Sequence, residues 1–209
     1  VLTELAAHPD SSDPEPFAGP DHPIRQLTRA VAFGKEWTTA HAERMSKLFN
    51  EMAPEWSERN VDPIKAAPVR DALTRGDVPL DGQWLELGSG TGAGARAIKG
   101  QVRSLICTDL SAGMLSFAPD IAPRARADAS ALPFDNDSFD AAMLINMLLF
   151  PAELDRIVRP AGTVLWVNTL GDQTPIHLPA ADVLEALPGE WSGTTASAGT
   201  GFWLTARRA

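Results

Sequence analysis

Among its 209 residues the chain has a single cysteine, Cys107. An intrachain disulfide is thereby excluded, which fits a reducing compartment. Cys107 lies in the apolar run SLICTD, so a buried core thiol is expected rather than a nucleophile. Basic residues are few, 18 Lys and Arg against 27 Asp and Glu, and they form no cluster. The formal net charge of −9 repels phosphate backbones, so no nucleic-acid partner is expected. The surplus charge serves solubility. No apolar run approaches the ~18 residues of a bilayer span. No His/Cys/Asp spacing suits a metal. The opening VLTELAAHPDSSD lacks the basic-then-apolar order of a secretion signal. A cytoplasmic protein with no membrane segment and no metal is expected.

What is present points to one α/β domain. Hydrophobic residues make up 44%, enough for a sizeable core. Residues 1–22 are rich in Pro, Asp and Ser and read as a flexible N-terminal extension, a candidate contact for a second copy in a homodimer. Residues 23–80 read as helical. Ile24, Leu27 and Val31 recur at helical intervals, and Met45, Leu48, Phe49 and Met52 fall on one stripe that should dock a second helix. Pro54 should end that helix. A third helix is predicted from Pro63 to Arg75, with Pro68 as a kink or break and Gly76 as its stop.

From Gly82 onward strands and helices alternate, and residues 81–209 read as the core. Strands are predicted at 83–87, 103–109, 124–128, 139–146 and 163–168, with helices near 92–100, 111–118, 151–158 and 180–187. Such alternation specifies a parallel, doubly wound, Rossmann-like sheet. The last two strand-like runs, WSGTTASA and GFWLTARR, flank a short Gly199–Gly201 link and should close as an antiparallel hairpin.

The densest chemical signal is LELGSGTGAGA, residues 85–95. A strand ends, the backbone turns, and a helix starts. Glycine permits positive φ and lets a ligand lie against the main chain. Gly88, Gly90 and Ala93 also satisfy the dinucleotide pattern G-x-G-x-x-[GA], so an NAD(P)-dependent oxidoreductase is one alternative. Three features favour a sulfonium cofactor instead. Glu86 stands two residues before Gly88, where a carboxylate disfavours pyrophosphate and suits a cation. The glycines also alternate at 88, 90 and 92. Little chain remains for a hydride-transfer site. Asp109 ends the second strand 21 residues after Gly88, where an acid accepts hydrogen bonds from ribose hydroxyls. Ser111 is a good cap for the helix that follows.

LELGSGTGAGA, ICTDLSAGML, ADASALPFDNDSFDAAML and ELDRIVRPAGTVLWV together resemble the motif series of class I S-adenosylmethionine-dependent methyltransferases, within the subgroup of ubiquinone- and menaquinone-biosynthesis enzymes. The resemblance spans roughly residues 45–170. It implies a seven-stranded sheet with the last strand antiparallel and tucked between its neighbours, and makes the helical residues 23–80 an N-terminal lid over the cofactor. It also implies that Glu86, Gly88, Ser89, Gly90 and Gly92 cradle the methionine part of S-adenosylmethionine. Asp109 would hold the ribose, with Leu110 and Met114 on the adenosine. Asp128 and Ala129 would read the adenine, and Asn146 and Met147 would border the reacting methyl. Ala161 stands where the family often has glycine, and NMLLFP lacks the N-P-P-aromatic signature of base and glutamine methylation.

Methyl transfer from a sulfonium needs alignment and dryness more than a metal or a covalent intermediate. An acceptor hydroxyl wants a base, for which His177, Asp172 and His41 are weak candidates beside an ordinary packing or surface role. Trp37, Phe49, Trp56, Asn146 and His177 are candidates to line the acceptor site. The expected function is methylation of a small, apolar or aromatic molecule. A cofactor-binding protein that has lost catalysis and acts through partners is a further alternative.

Overall fold

The computed structural model describes residues 1–14, 19–34, 36–59 and 66–209. One eight-stranded sheet runs through them in the order β1-β7-β8-β6-β5-β2-β3-β4. In chain order the strands are β1 (Leu2–Glu4), β2 (Gln83–Leu87), β3 (Ser104–Asp109), β4 (Arg124–Arg126), β5 (Phe139–Ile145), β6 (Val158–Asn168), β7 (Trp191–Ala198) and β8 (Gly201–Arg208). The helices are α1 (Ile24–Arg29), α2 (Thr39–Arg59), α3 (Ala67–Arg75), α4 (Ala93–Ile98), α5 (Ala112–Phe117), α6 (Pro151–Ile157) and α7 (Ala180–Ala186). Neighbouring strands pair parallel, except that β8 is antiparallel to both β6 and β7. The chain leaves β2 for β3 and β4, then returns across β2 to β5 and β6. That reversal opens a crevice at the carboxyl ends of β2 and β5, where α/β sheets hold ligands.

Side-chain alternation builds a core on each face. Leu85, Leu87, Leu144, Val164, Trp166 and Leu204 face one way with α6 and α7. Trp84, Met143, Leu165, Val167 and Trp203 face the other, with Val69, Ala72 and Leu73 of α3 and Ile98 of α4. Asp71 locks α3 onto that face, because Trp203 Nε1 donates to it at 2.7 Å and Arg75 pairs with it at 2.5 Å. Of the span 23–80, α3 thus packs into the sheet, while α2 lies against α5.

Several expectations need correcting. The sheet has eight strands rather than seven. The eighth comes from the segment read as a flexible arm: Leu2, Thr3 and Glu4 pair with Gly193, Thr194 and Thr195. Leu5 N, His8 N and Ser12 N then donate to Thr195 O, Ser197 O and Gly199 O at 2.8–2.9 Å. The open edge of β7 supplies the partners that composition could not reveal. Helix α2 runs through Pro54 to Arg59 instead of stopping. Its buried positions are Ala42, Ser46 and Ala53, whereas Leu48 of the expected docking stripe is 45% exposed. Small residues occupy the seam because α2 and α5 approach closely: a Cβ on Gly113 would stand 3.0 Å from Asn50 Cα. Helix α3 starts at Ala67 with Pro68 in its first turn, where proline is tolerated, and Gly76 caps it as expected. Pro63, its expected start, lies outside the described residues.

Candidate functional site

The glycine turn leaves β2 at Leu87 and enters α4 at Ala93. Gly88, Gly90 and Gly92 all have positive φ, at +64°, +53° and +80°. Their reasons differ. Gly92 N-caps α4, and a Cβ there would stand 2.8 Å from Pro119 Cδ. Gly88 lies under the Met147 side chain, which a Cβ would strike. Around Gly90 nothing stands within 4 Å of where a Cβ would be. Gly90 is therefore the open part of the turn, where a ligand can rest on bare backbone. On either side of it, Ser89 Oγ and Thr91 Oγ1 are buried without hydrogen-bond partners. Orphaned buried hydroxyls are rare in folded proteins, and these two flank the open backbone of Gly90, where a bound ligand could supply the missing bond.

Asp109, at the end of β3, points at this turn. Its Oδ2 accepts from Gly90 N at 2.8 Å and its Oδ1 accepts from Ser111 N at 2.7 Å. Each oxygen keeps a further lone pair for a ligand hydroxyl. Burial raises the Asp109 pKa against the pull of these amide bonds. Ser111 caps α5, accepting from Met114 N at 3.0 Å. Leu110 offers its carbonyl to Ser46 Oγ and Arg126 Nε, and Met114 is buried.

Glu86 is turned away from the hollow. It shares a sheet face with α4, is 2% exposed, and accepts from the Ala95 amide and from Cys107 Sγ at 3.6 Å. A Cβ on Gly94 would strike its carboxylate. Burial pushes its pKa up to about 8, and pushes the Cys107 thiol above its ordinary range as well. Cys107 is buried, as its apolar run implied.

Two side chains of the protein reach into the mouth. Met147 covers Gly88. Trp37 donates its Nε1–H to both oxygens of Asp128 at 3.1 Å and packs edge-on against Phe150. Asp128 also accepts from Ser130 N, and Ala129 joins the core. Asn146 sits at φ +50° with its amide spent on Thr169: Nδ2 donates to Thr169 Oγ1 at 2.8 Å and Oδ1 accepts from Thr169 N at 2.9 Å. It ties the carboxyl ends of β5 and β6 together.

The base candidates are dispersed. His41 stacks on Trp37 and contacts Thr38 Oγ1. Asp172 is exposed, and its carbonyl accepts from Arg25. His177 is half-buried against Phe202, and burial lowers its pKa to about 4. Phe49 and Trp56 pack on each other along α2, with ring centroids 6.2 Å apart. Sequence reasoning missed Asn50. Its Oδ1 accepts from Gly113 N and Ser111 Oγ, both at 2.7 Å, and so ties α2 to the turn after Asp109. No hydrophobic or motif pattern marks it.

A hollow of about 480 Å³ lined by Gln83, Phe134, Asp135, Asp137 and Arg159 lies at the amino ends of β2, β5 and β6, away from the glycine turn. Arg159 there is spent on Asp137 O, Ser138 O and Asp140. Among the described residues, no group of three or more His, Cys, Asp or Glu could hold a metal, and no helix is long and apolar enough to cross a membrane.

Residues 85–166 match the family described as a methyltransferase domain. Over 110 residues the chain is 33% identical to the demethylmenaquinone methyltransferase of Clavibacter sepedonicus, covering 46% of this chain and 45% of that protein. The chain thus spans about half the length of that curated relative. Its fold is similar to a SAM-dependent methyltransferase from Aquifex aeolicus, with TM-score 0.63 and 14% identity over 75% of this chain and 98% of the other. It is also similar to DhpI in complex with SAH, with TM-score 0.63 and 20% identity over 80% and 97%.

Proposed function

We propose that this chain, whose residues 85–166 form a methyltransferase domain of the class I, S-adenosylmethionine-dependent kind, transfers the methyl group of that cofactor to a small, apolar or aromatic acceptor. The observation that carries the reading is Gly90. It is left-handed, open where a side chain would stand, flanked by two orphaned hydroxyls and braced from below by Asp109. The donor set fits the cofactor: exposed backbone for the amino-acid part, spare carboxylate lone pairs on Asp109 for ribose hydroxyls, and the Asp128 carboxylate for an adenine amino group.

When bound, the cofactor supplies an electrophilic methyl on a cationic sulfur with a good leaving group. The chain's own residues do the rest. Gly88, Gly90 and the flanking hydroxyls of Ser89 and Thr91 position, Asp109 orients, and Met147 walls the crevice toward β5. Trp37 and α2 exclude water from above. The acceptor class follows from the apolar surroundings of Met147, Phe150 and Trp37, and from the quinone-type substrate that the name of the Clavibacter relative implies for that protein. Nothing in the site favours hydride transfer.

Thermal unfolding tests the reading. S-adenosylmethionine or S-adenosylhomocysteine at a hundred times its dissociation constant should add about 2.7 kcal/mol of stability, and NAD should add none. Stabilisation by NAD, or by neither compound, overturns it.

A further inference from the structure

Asp109 and Asp128 belong to neighbouring strand ends. Asp109 closes β3, and its register partner Arg126 closes β4. Ala127 N donates back to Asp109 O at 3.0 Å, one residue before Asp128. The two carboxylates thus flank one short stretch of the sheet's carboxyl edge. Asp128 is half-buried, so a ligand can reach it.

The bonds that Asp128 already makes decide what it can still take. Its Oδ1 accepts from Ser130 N at 2.9 Å and from Trp37 Nε1 at 3.1 Å. Among the described residues, Oδ2 accepts only its share of the same indole N–H, also at 3.1 Å. A carboxylate oxygen has two lone-pair sites, so Oδ1 is filled and Oδ2 keeps one. An indole is a donor and no acceptor. It can therefore hold the carboxylate without competing for a donor on a ligand. What remains is one open acceptor site in a fixed direction, matched to a single N–H.

Trp37 is itself held. Its ring packs edge-on against Phe150, centroids 5.4 Å apart, and stacks on His41 at 5.9 Å. Phe150 belongs to the buried core, which gives the indole a rigid wall. The next residue, Thr38, caps α2: its Oγ1 accepts from His41 N at 3.3 Å and its carbonyl from Ala42 N at 3.0 Å. The same helix is fastened beside the other carboxylate. Ser46 Oγ donates to Leu110 O, and Asn50 Oδ1 accepts from Ser111 Oγ and Gly113 N. Helix α2 is thus one strap with an attachment next to each acid.

We infer that Trp37 is a positioning residue for cofactor recognition: its indole N–H turns the Asp128 carboxylate so that Oδ2 presents one lone pair to the exocyclic amino group of the cofactor's adenine. The inference rests on the methyltransferase reading above, which supplies the adenine. It gives the head of α2 a second task beside covering the site, that of aiming an acceptor inside it. A carboxylate released from Trp37 can rotate and satisfy itself with water, and its bond to the amino group loses direction.

The test uses S-adenosylhomocysteine and an analogue that carries hydrogen in place of the adenine amino group. Dissociation constants of both for the full chain are measured by calorimetry. The wild type should prefer the amino compound at least about tenfold, the worth of a hydrogen bond to a charged acceptor. Trp37→Phe keeps a ring against Phe150 and loses the N–H, and the preference should fall to about threefold. A merely structural loosening of α2 would weaken both ligands alike and leave their ratio untouched. Asp128→Ala should abolish the preference, and adding Trp37→Phe to it should move the ratio no further. In the unmutated protein the Trp37 Nε1–H proton resonance should keep its hydrogen-bonded position when S-adenosylhomocysteine binds, because the indole is not displaced. Equal binding of the two compounds by the wild type, a preference intact in Trp37→Phe or surviving Asp128→Ala, a ratio that moves further in the double variant, or an indole resonance released by the ligand each overturns the inference and leaves the cofactor reading standing. Failure of S-adenosylhomocysteine to bind the wild type at all overturns the cofactor reading, and the role of Trp37 with it.

Discussion

Replacing Glu86 by glutamine should make the protein more stable, and more so as the pH rises. The carboxyl is 2% exposed, and its pKa is raised from 4.5 to about 8, chiefly by burial. The folded state therefore holds this proton more tightly than the unfolded chain does. The stability it confers is full below pH 4.5 and drains away as pH climbs towards 8. At 1.36 kcal/mol per unit, the loss between those limits reaches about 3 kcal/mol by pH 7. Glutamine keeps the shape and cannot ionise. The variant gives up ~1 kcal/mol of hydrogen bonding to Ala95 and Cys107, so the net gain near pH 7 should be ~2 kcal/mol. Urea unfolding of both proteins between pH 5 and 8 measures it, and all other titrating groups cancel in the difference. Parallel stability curves, or a variant less stable than wild type at pH 8, would refute the reasoning.

Ala161 sits at φ +62°, so Ala161→Gly should stabilise by ~1 kcal/mol in denaturant unfolding by relieving left-handed strain; a loss of stability would count against that strain. Gly90→Val should abolish S-adenosylhomocysteine binding by filling the open space over the turn, and normal affinity would contradict a ligand lying there. Asp109→Ala should weaken that binding at least about tenfold, since it removes the ribose acceptor and frees the Gly90 amide; an unchanged dissociation constant removes Asp109 from the role. Asn50→Ala should cost ~1 kcal/mol in denaturant unfolding by removing the acceptor of the Gly113 amide and the Ser111 hydroxyl, and no change would mean that α2 is held by its small-residue seam alone.

Legibility in the sequence followed the range of the interactions. Strands β2, β7 and β8 stand where their strand-like runs and flanking turns put them, because a buried apolar run before the glycine turn and a short glycine link between two strands are both local patterns. The glycine turn and Asp109 were equally readable, since a positive φ and an adjacent strand end are local demands. The Pro54 signal misled: α2 continues through the proline while packed along α5, and tertiary packing routinely overrides a ~3 kcal/mol propensity cost. Strand β1 has three exposed residues and no alternation of its own. The Trp37–Asp128 bond joins residues 91 apart, and no window of sequence contains it. Glu86 was legible as a residue and not as an orientation, because the pleat decides which face it takes.

The first dozen residues act as a hem. Were they stripped away, β7 would show bare peptide groups from Gly193 towards Gly199, and a bare rim of that sort recruits whatever extended chain comes by, a second molecule included. Shortening this protein at its beginning should therefore be felt first as a loss of solubility, far from the glycine turn.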